Sequence, residues 1–459
     1  MLPSRVAVYD NGAEFVASIP TVAHYLRASG YRTCLAGKMH FIGPDQLHGF
    51  EQRLTPDIYP AGIYWVPDWR LPTSMLLPWY HDMSSVFEAG VTEATLQIDY
   101  DEEVAFRSVR AIYDLARSGD DRPFLLVASF SQPHDPWEVQ AEYWNRYEGV
   151  AIDSPAVPHI PDDRLDPHSR RIREMCGGLG LAVPEDNLLR ARRAHYASIS
   201  YIDDKVGLLV ETLDRVGLRD DTVVIFMADH GEMLGERGLW YKMTFFEPSV
   251  SVPLIVSAPD FSPRRIASNV SLLDLTPTLL DLAGIVKTDS LDGSSLTPLL
   301  DGRNRDGAIV SEYLAEGAVA PMVMMREGDF KFVHSSSDPD QLFDLASDPD
   351  ELTNLAGLPA HAQRVSSFRA EIARRWDLAK LNADVLASQQ RRAVVAGALA
   401  LGDQTTWDFE QDGGGPGRYV RGSDFWSPFK RARLRREKTT TPPGSRPPST
   451  SSTDSTARR

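Results

Sequence analysis

Residues 222–243 read TVVIFMADHGEMLGERGLWYKM. An apolar run, TVVIFMA, breaks at Asp229 into His230, Gly231 and Glu232, and Lys242 follows behind Trp240 and Tyr241. A short apolar run bounded by such a turn predicts a strand buried on both faces. In open α/β sheets, ligands gather at the carboxyl ends of the strands. Two other segments repeat the pattern: YRTCLAGKMH (31–40) delivers Lys38 and His40, and PFLLVASFSQPHDP (123–136) delivers His134 and Asp135.

Helical periods separate these strands. Residues 20–29 predict a helix with Pro20 in its first turn and Gly30 closing it. Residues 99–117 and 191–213 predict two longer amphipathic helices, and VPLIV (252–256) and AIVSEYL (308–314) further strands. No internal repeat is present. The class is therefore α/β, with a mixed, largely parallel central sheet flanked by helices. Past residue 305 the pattern changes. PMVMMREG and FKFVHS predict a hairpin around Glu327-Gly328-Asp329, followed by one helix over 359–398, a smaller α+β subdomain. The expected division is 1–305, 306–400, an arm over 401–438, and a tail over 439–459. That tail has no apolar residue larger than alanine, so it cannot offset its ordering entropy and is expected to be disordered.

Composition excludes several classes. The 459 residues carry 64 acids against 48 bases, a formal charge of −16, which argues against nucleic acid as a partner. No apolar run approaches the ~18 residues of a membrane span. The first residues lack the apolar core of a signal peptide. Two cysteines, Cys34 and Cys176, make neither a disulfide scaffold nor a thiolate cluster, and the expected setting is the reducing cytoplasm.

The residues at the three strand ends suit transfer at an anionic tetrahedral centre. Lys38 and Lys242 can neutralise oxygens as point charges. His40 and His134 can exchange protons with nucleophile and leaving group. Asp229, with His230, can hold a divalent cation, and an oxygen-rich site favours calcium or magnesium over zinc. Residues 59–80 also hold Tyr59, Tyr64, Trp65, Trp69, Trp79 and Tyr80, a density of rings that can pack a long loop or enclose a quaternary ammonium group.

The strings G-K-M-H, P-H-D-P and D-H-G-E-M-L-G-E-R-G-L-W-Y-K-M resemble the type I sulfatases of the alkaline-phosphatase superfamily. Tyr9-Asp10-Asn11, residues 37–61, RRAHYASISYIDDKVG (192–207) and SEYLAEG (311–317) resemble the choline-sulfatase branch, and the likeness runs to about residue 435. The resemblance implies an alkaline-phosphatase-type fold and hydrolysis of choline O-sulfate to choline and sulfate. It implies Asp229 and His230 as ligands of a calcium or magnesium ion, and Lys38, His40, His134 and Lys242 around the sulfate, nucleophile and leaving oxygen. It selects Trp65 and Trp79 as cage rings, with Glu312 or Glu316 as the acidic partner. It further implies a homo-oligomer in which the arm over 407–436 packs on a neighbouring subunit and brings Asp424 to that subunit's choline pocket. The acids of LFDLASDPDELTNLA (342–356) are expected to fix a turn.

The nucleophile of that family is a formylglycine made from the cysteine of C-x-P-S-R, and two aspartates near the N-terminus join its metal ligands. Pro3-Ser4-Arg5 lies close to Met1, but in the choline branch YDNGAEF (9–15) follows a second, downstream L-P-S-R. Met1 is thus expected to fall beyond the true motif. Neither Cys34 nor Cys176 has the P-S-R context, so the chain as given is expected to be inactive or nearly so, with a misplaced start. A phosphonate or phosphodiester hydrolase of the same superfamily is one rival reading. A non-catalytic subunit that binds choline esters is another.

Overall fold

Thr21 opens the helix α1 (Val22–Ala28) by accepting the His24 N–H, so Pro20 precedes the cap rather than standing in the first turn. Gly30 follows with φ +90° and turns the chain into β1 (Arg32–Gly37). β1 lies parallel between β2 (Gln52–Arg53) and β3 (Phe124–Ser129), with Cys34 opposite both Gln52 and Leu126. α2 (Leu96–Arg117), capped by the Thr95 side chain, packs Tyr100 and Val104 against Ala36 of β1. The computed structural model describes residues 1–75, 81–259, 261–286, 290–303, 305, 307–403 and 406–409. Met1–Gln411 form one compact unit.

The long helix α3 (Glu185–Arg215) starts after Pro184 with Glu185 and Asp186 in its first turn and ends on Arg215, an arrangement that complements its dipole. It buries Ala197, Tyr201 and Ile202 with Val139 and Tyr143, and both Phe130 and Phe226 rest on that cluster. Phe226 belongs to β4 (Val224–Met227), which pairs antiparallel with β5 (Leu254–Ser257). These strands are less buried than their apolar runs predict: all of β3 is half-buried, and Met227 and Ile255 are exposed. β3 ends one sheet and β4 another, and among the described residues nothing pairs with the free edge of either.

The second layer is an antiparallel sheet of β6 (Ile309–Tyr313), β7 (Met322–Glu327), β8 (Phe330–Ser335) and β9 (Gln341–Asp344), in the order β9-β8-β7-β6. The β7–β8 hairpin closes with Glu327 opposite Phe330, as expected. The single helix expected over 359–398 is instead two, α4 (Ala362–Arg375) and α5 (Leu378–Leu399). Trp376 breaks it by taking an extended conformation, burying its ring, and donating its indole N–H to Glu312 Oε1 at 2.5 Å. Asp377 then caps α5 by accepting the Lys380 N–H. Phe332 of β8 stacks on Phe368 of α4 at 5.2 Å in the core between them. Arg392 of α5 reaches across to Asp10 in a buried two-pronged pair, both bonds 2.6 Å. In 342–356 the acids do fix a turn: Asp348 accepts the N–H groups of Leu352 and Thr353.

Candidate active site

The first loop leaves β1 at Gly37, whose φ is +113° and where an added Cβ would lie 1.9 Å from Ser129 O. Only glycine permits β1 and β3 to run this close at their ends. Lys38 then donates its backbone N–H to Ser129 O. Its Nζ lies 5.3 Å from the Tyr59 ring centre. His40 sits in the left-handed region (φ +57°), a strained conformation for a non-glycine residue. Its ring lies against Tyr59 (5.2 Å) and edge-on to Trp65 (4.7 Å), and its Nε2 is buried with no protein partner among the described residues.

In the second loop, His134 Nδ1 is 2.8 Å from Asp135 O. A carbonyl only accepts, so Nδ1 carries the hydrogen and the lone pair is on Nε2. That Nε2 faces Lys242 Nζ at 2.5 Å. His81 repeats the arrangement: Nδ1 is 3.1 Å from Asp135 Oδ2 and Nε2 3.3 Å from Lys242 Nζ. One ammonium thus lies between two imidazoles, and Asp135 takes both outer N–H groups, that of His81 on its carboxylate and that of His134 on its carbonyl. The third loop carries Asp229 and His230 and turns at Gly231, where a Cβ would meet Pro248 O at 2.1 Å. His230 Nδ1 is assigned its hydrogen by Gly231 O at 2.8 Å, which leaves Nε2 as an acceptor 3.7 Å from Asp229 Oδ2. The His134 and His230 ring centres are 5.8 Å apart, so the second and third loops meet, and Lys242 and Asp229 are among the charges acting on His40 of the first.

Electrostatics match an anion receptor. Burial pushes the His40 imidazole down to about 4, against Asp57 and with help from Lys38 and Lys242. Burial and then Lys242 bring His230 down to about 4. His134 is pushed well below the ordinary histidine range by burial and by Lys242. Burial also lowers Lys242, opposed by Asp135. Burial would raise Asp135, yet His134 and the His81 hydrogen bond hold it below the usual carboxylate range. Burial thus disfavours the charged forms of His40, His134 and His230.

Asp229 Oδ2 and His230 Nε2 have the separation of two neighbouring ligands on a cation with bonds of about 2.0–2.6 Å. Their donor atoms and lone pairs therefore fit a divalent ion. His81, His134 and Asp135 also bring ligand-capable atoms within 4.8 Å of one another. There, however, both Nε2 lone pairs face an ammonium and both Nδ1–H groups face Asp135, an arrangement poised for an anion rather than a second cation. No C-x-P-S-R string occurs among these 459 residues. Cys34 is buried in β1 and Cys176 beside Met83 and Trp240, and burial raises both thiols.

Of the two acids left open by the sequence, Glu312 is engaged elsewhere: it accepts from Ser4 N, Ser4 Oγ and the Trp376 indole. Glu316 is buried, and burial with Asp10 pushes its carboxyl up to about 7. Lys242 is among the charges acting on it. Trp79 and Asp424 lie outside the described residues. Sequence reasoning missed His81, hidden among the aromatic residues of 59–80, and gave no role to Asp135, which a P-H-D-P string places beside His134.

The family model described as Sulfatase matches residues 4–285, N-sulphoglucosamine sulphohydrolase, C-terminal, matches 235–377, and Choline sulfatase enzyme C terminal matches 383–427. A choline-sulfatase of Rhizobium meliloti (strain 1021) is 48% identical over 429 residues, 92% of this chain and 84% of that protein. A phosphonate monoester hydrolase of Agrobacterium radiobacter superposes with a TM-score of 0.62 at 23% identity, covering 84% of each chain. A putative sulfatase of Bacteroides thetaiotaomicron gives 0.60 at 21% identity, over 88% of this chain and 82% of that one. At those identities the two structures speak for the fold alone.

Proposed function

The chain belongs to the sulfatase family, and we propose that its substrate is choline O-sulfate, held as sulfate in one half of the site and as trimethylammonium in the other. The observation that carries this reading is the contact of Lys38 and His40 with the rings of Tyr59 and Trp65, together with the meeting of His134 with His230 and Lys242. The 48% identity to a choline-sulfatase supports the same assignment.

In this reading Lys38 and Lys242 neutralise sulfate oxygens. In the overall hydrolysis water forms the new bond to sulfur as the S–O bond to choline breaks, the choline oxygen takes a proton from the Lys242–His134 pair, and the water returns that proton to the pair. Asp229 and His230 would hold a divalent cation, calcium in this reading, which when bound would supply Lewis-acid polarisation of the sulfate. No step through formylglycine is derived. Trp65 and Trp79 wall the ammonium, and Glu316, rather than Glu312, supplies its charge partner. The arm over 401–438 leads to a neighbouring subunit, where Asp424 closes the pocket. Asp408 accepts the Ala61 N–H at 2.8 Å, so this arm departs beside its own chain's site loop. The boundaries near 305 and 400 and a reducing, cytoplasmic setting complete the reading. Among the described residues no helix is long and apolar enough to cross a membrane.

The test is a panel of esters in calcium: choline O-sulfate, an aryl sulfate and a phosphonate monoester, each followed by titration calorimetry and product release. Preference for choline O-sulfate in both readouts supports the proposal. Preference for the phosphonate overturns it. Binding of choline O-sulfate without release supports the non-catalytic reading.

A further inference from the structure

Each loop of the site is pinned through two backbone N–H groups to one carboxylate outside the reacting set. Asp57 Oδ2 accepts from Met39 N and His40 N, both at 2.8 Å, and Arg53 NH2 pairs with the same oxygen at 3.0 Å. Asp101, fully buried on α2, accepts Ser131 N on Oδ1 at 2.6 Å and Gln132 N on Oδ2 at 2.9 Å. Glu232 accepts Leu234 N at 3.1 Å and Tyr241 N at 2.5 Å, both on Oε1. The three come from different parts of the fold, yet each serves one loop. These are the points where the backbone has left its strand and its N–H groups have no ladder partner.

The residues so held stand next to the functional side chains. His40 is itself one of the pinned positions, Gln132 lies two residues before His134, and Tyr241 precedes Lys242. The pinned backbone is also strained, with φ of +57° at His40, +45° at Leu234 and +66° at Tyr241. Strain of this kind persists only where surrounding contacts over-determine the conformation.

We propose that Asp57, Asp101 and Glu232 are positioning residues that fix the three sulfate-binding loops, setting the anion half of the site without touching the substrate. The inference rests on the reading of these loops as a sulfate receptor. It has a consequence that depends on oxygen usage. An amide can replace a carboxylate whose two bonds fall on one oxygen, because its own oxygen takes both. It cannot replace one that uses both oxygens, because its NH2 would then face an N–H. Glu232→Gln should therefore be tolerated and Asp101→Asn should not.

The test measures dissociation constants of the full chain for inorganic sulfate and for choline separately, with thermal melting of each variant. Expected are a loss of about tenfold in sulfate affinity for Asp101→Asn and for Glu232→Ala, near wild-type affinity for Glu232→Gln, and choline affinity within about twofold throughout. Parallel loss of sulfate and choline binding, or equal behaviour of Glu232→Gln and Glu232→Ala, overturns the proposal. If Asp101→Asn does not fold, the two Glu232 variants decide alone. A wild-type chain that binds no inorganic sulfate refutes the receptor reading itself, and this inference with it.

Discussion

The proposed pairing of Glu316 with the ammonium group predicts a definite pH dependence of choline binding. Burial pushes its carboxyl up to about 7, with Asp10 adding to the shift and Lys242 and Arg392 opposing it. A quaternary ammonium ion has no proton to lose, so it prefers the ionised carboxylate at every pH. With a midpoint near 7, about one-eleventh of the sites are ionised at pH 6 and about ten-elevenths at pH 8. Choline affinity should thus rise roughly tenfold between those values, about 1.4 kcal/mol. Stability runs the other way. The folded carboxyl binds its proton more tightly than the unfolded one, so its contribution to stability falls as pH rises from about 4.5 to about 7. The assay is calorimetric titration of choline, without sulfate, at pH 6, 7 and 8. Glu316→Gln should bind weakly with no slope. Glu312→Gln should keep the slope and lose melting temperature, since Glu312 holds Ser4 and Trp376. A flat wild-type profile, or a slope that survives in Glu316→Gln, would refute the assignment.

Trp65→Ala should weaken choline by about 0.5–2 kcal/mol while inorganic sulfate affinity stays within twofold, as read by the same titrations. Asp10→Asn breaks a buried two-pronged pair with Arg392 and should cost about 3–5 kcal/mol, seen as a lower urea midpoint with unchanged slope. Deleting residues from Trp407 onward should lower the mass found by light scattering, whereas deleting only 439–459 should not. An unchanged mass after the longer deletion counts against the inter-subunit arm. Asp229→Ala should abolish calcium-dependent stabilisation against heat, a readout independent of turnover.

The elements that carry the site were readable because local signals coincide there. Runs such as FLLVAS and VIFM predict strands by themselves, and Gly37 and Gly231 mark where those strands must approach other backbone. What escaped prediction depends on distant partners. The break at Trp376 exists because Glu312, 64 residues earlier, accepts its indole N–H, and no local pattern announces that. The choice between Glu312 and Glu316 turns on the same bond. His81 is one polar residue in an aromatic stretch until the fold sets it against Asp135 and Lys242. Asp101 reads as an ordinary acid of an amphipathic helix, and only the path of the chain after β3 gives it two N–H groups to hold. The half-burial of β3 and β4 likewise depends on what lies along their edges, which periodicity does not report.

The central claim is that one site holds both ends of choline O-sulfate, and the most direct test compares three affinities in one calorimeter. Choline, inorganic sulfate and choline O-sulfate are titrated into the wild-type chain and into Lys242→Ala, with calcium present throughout. Two charge-assisted contacts to the sulfate should make choline O-sulfate bind roughly a hundredfold more tightly than choline. Lys242→Ala should remove most of that gain and leave choline itself nearly unchanged. Equal affinity for choline and choline O-sulfate, or a gain that Lys242→Ala does not touch, would contradict it.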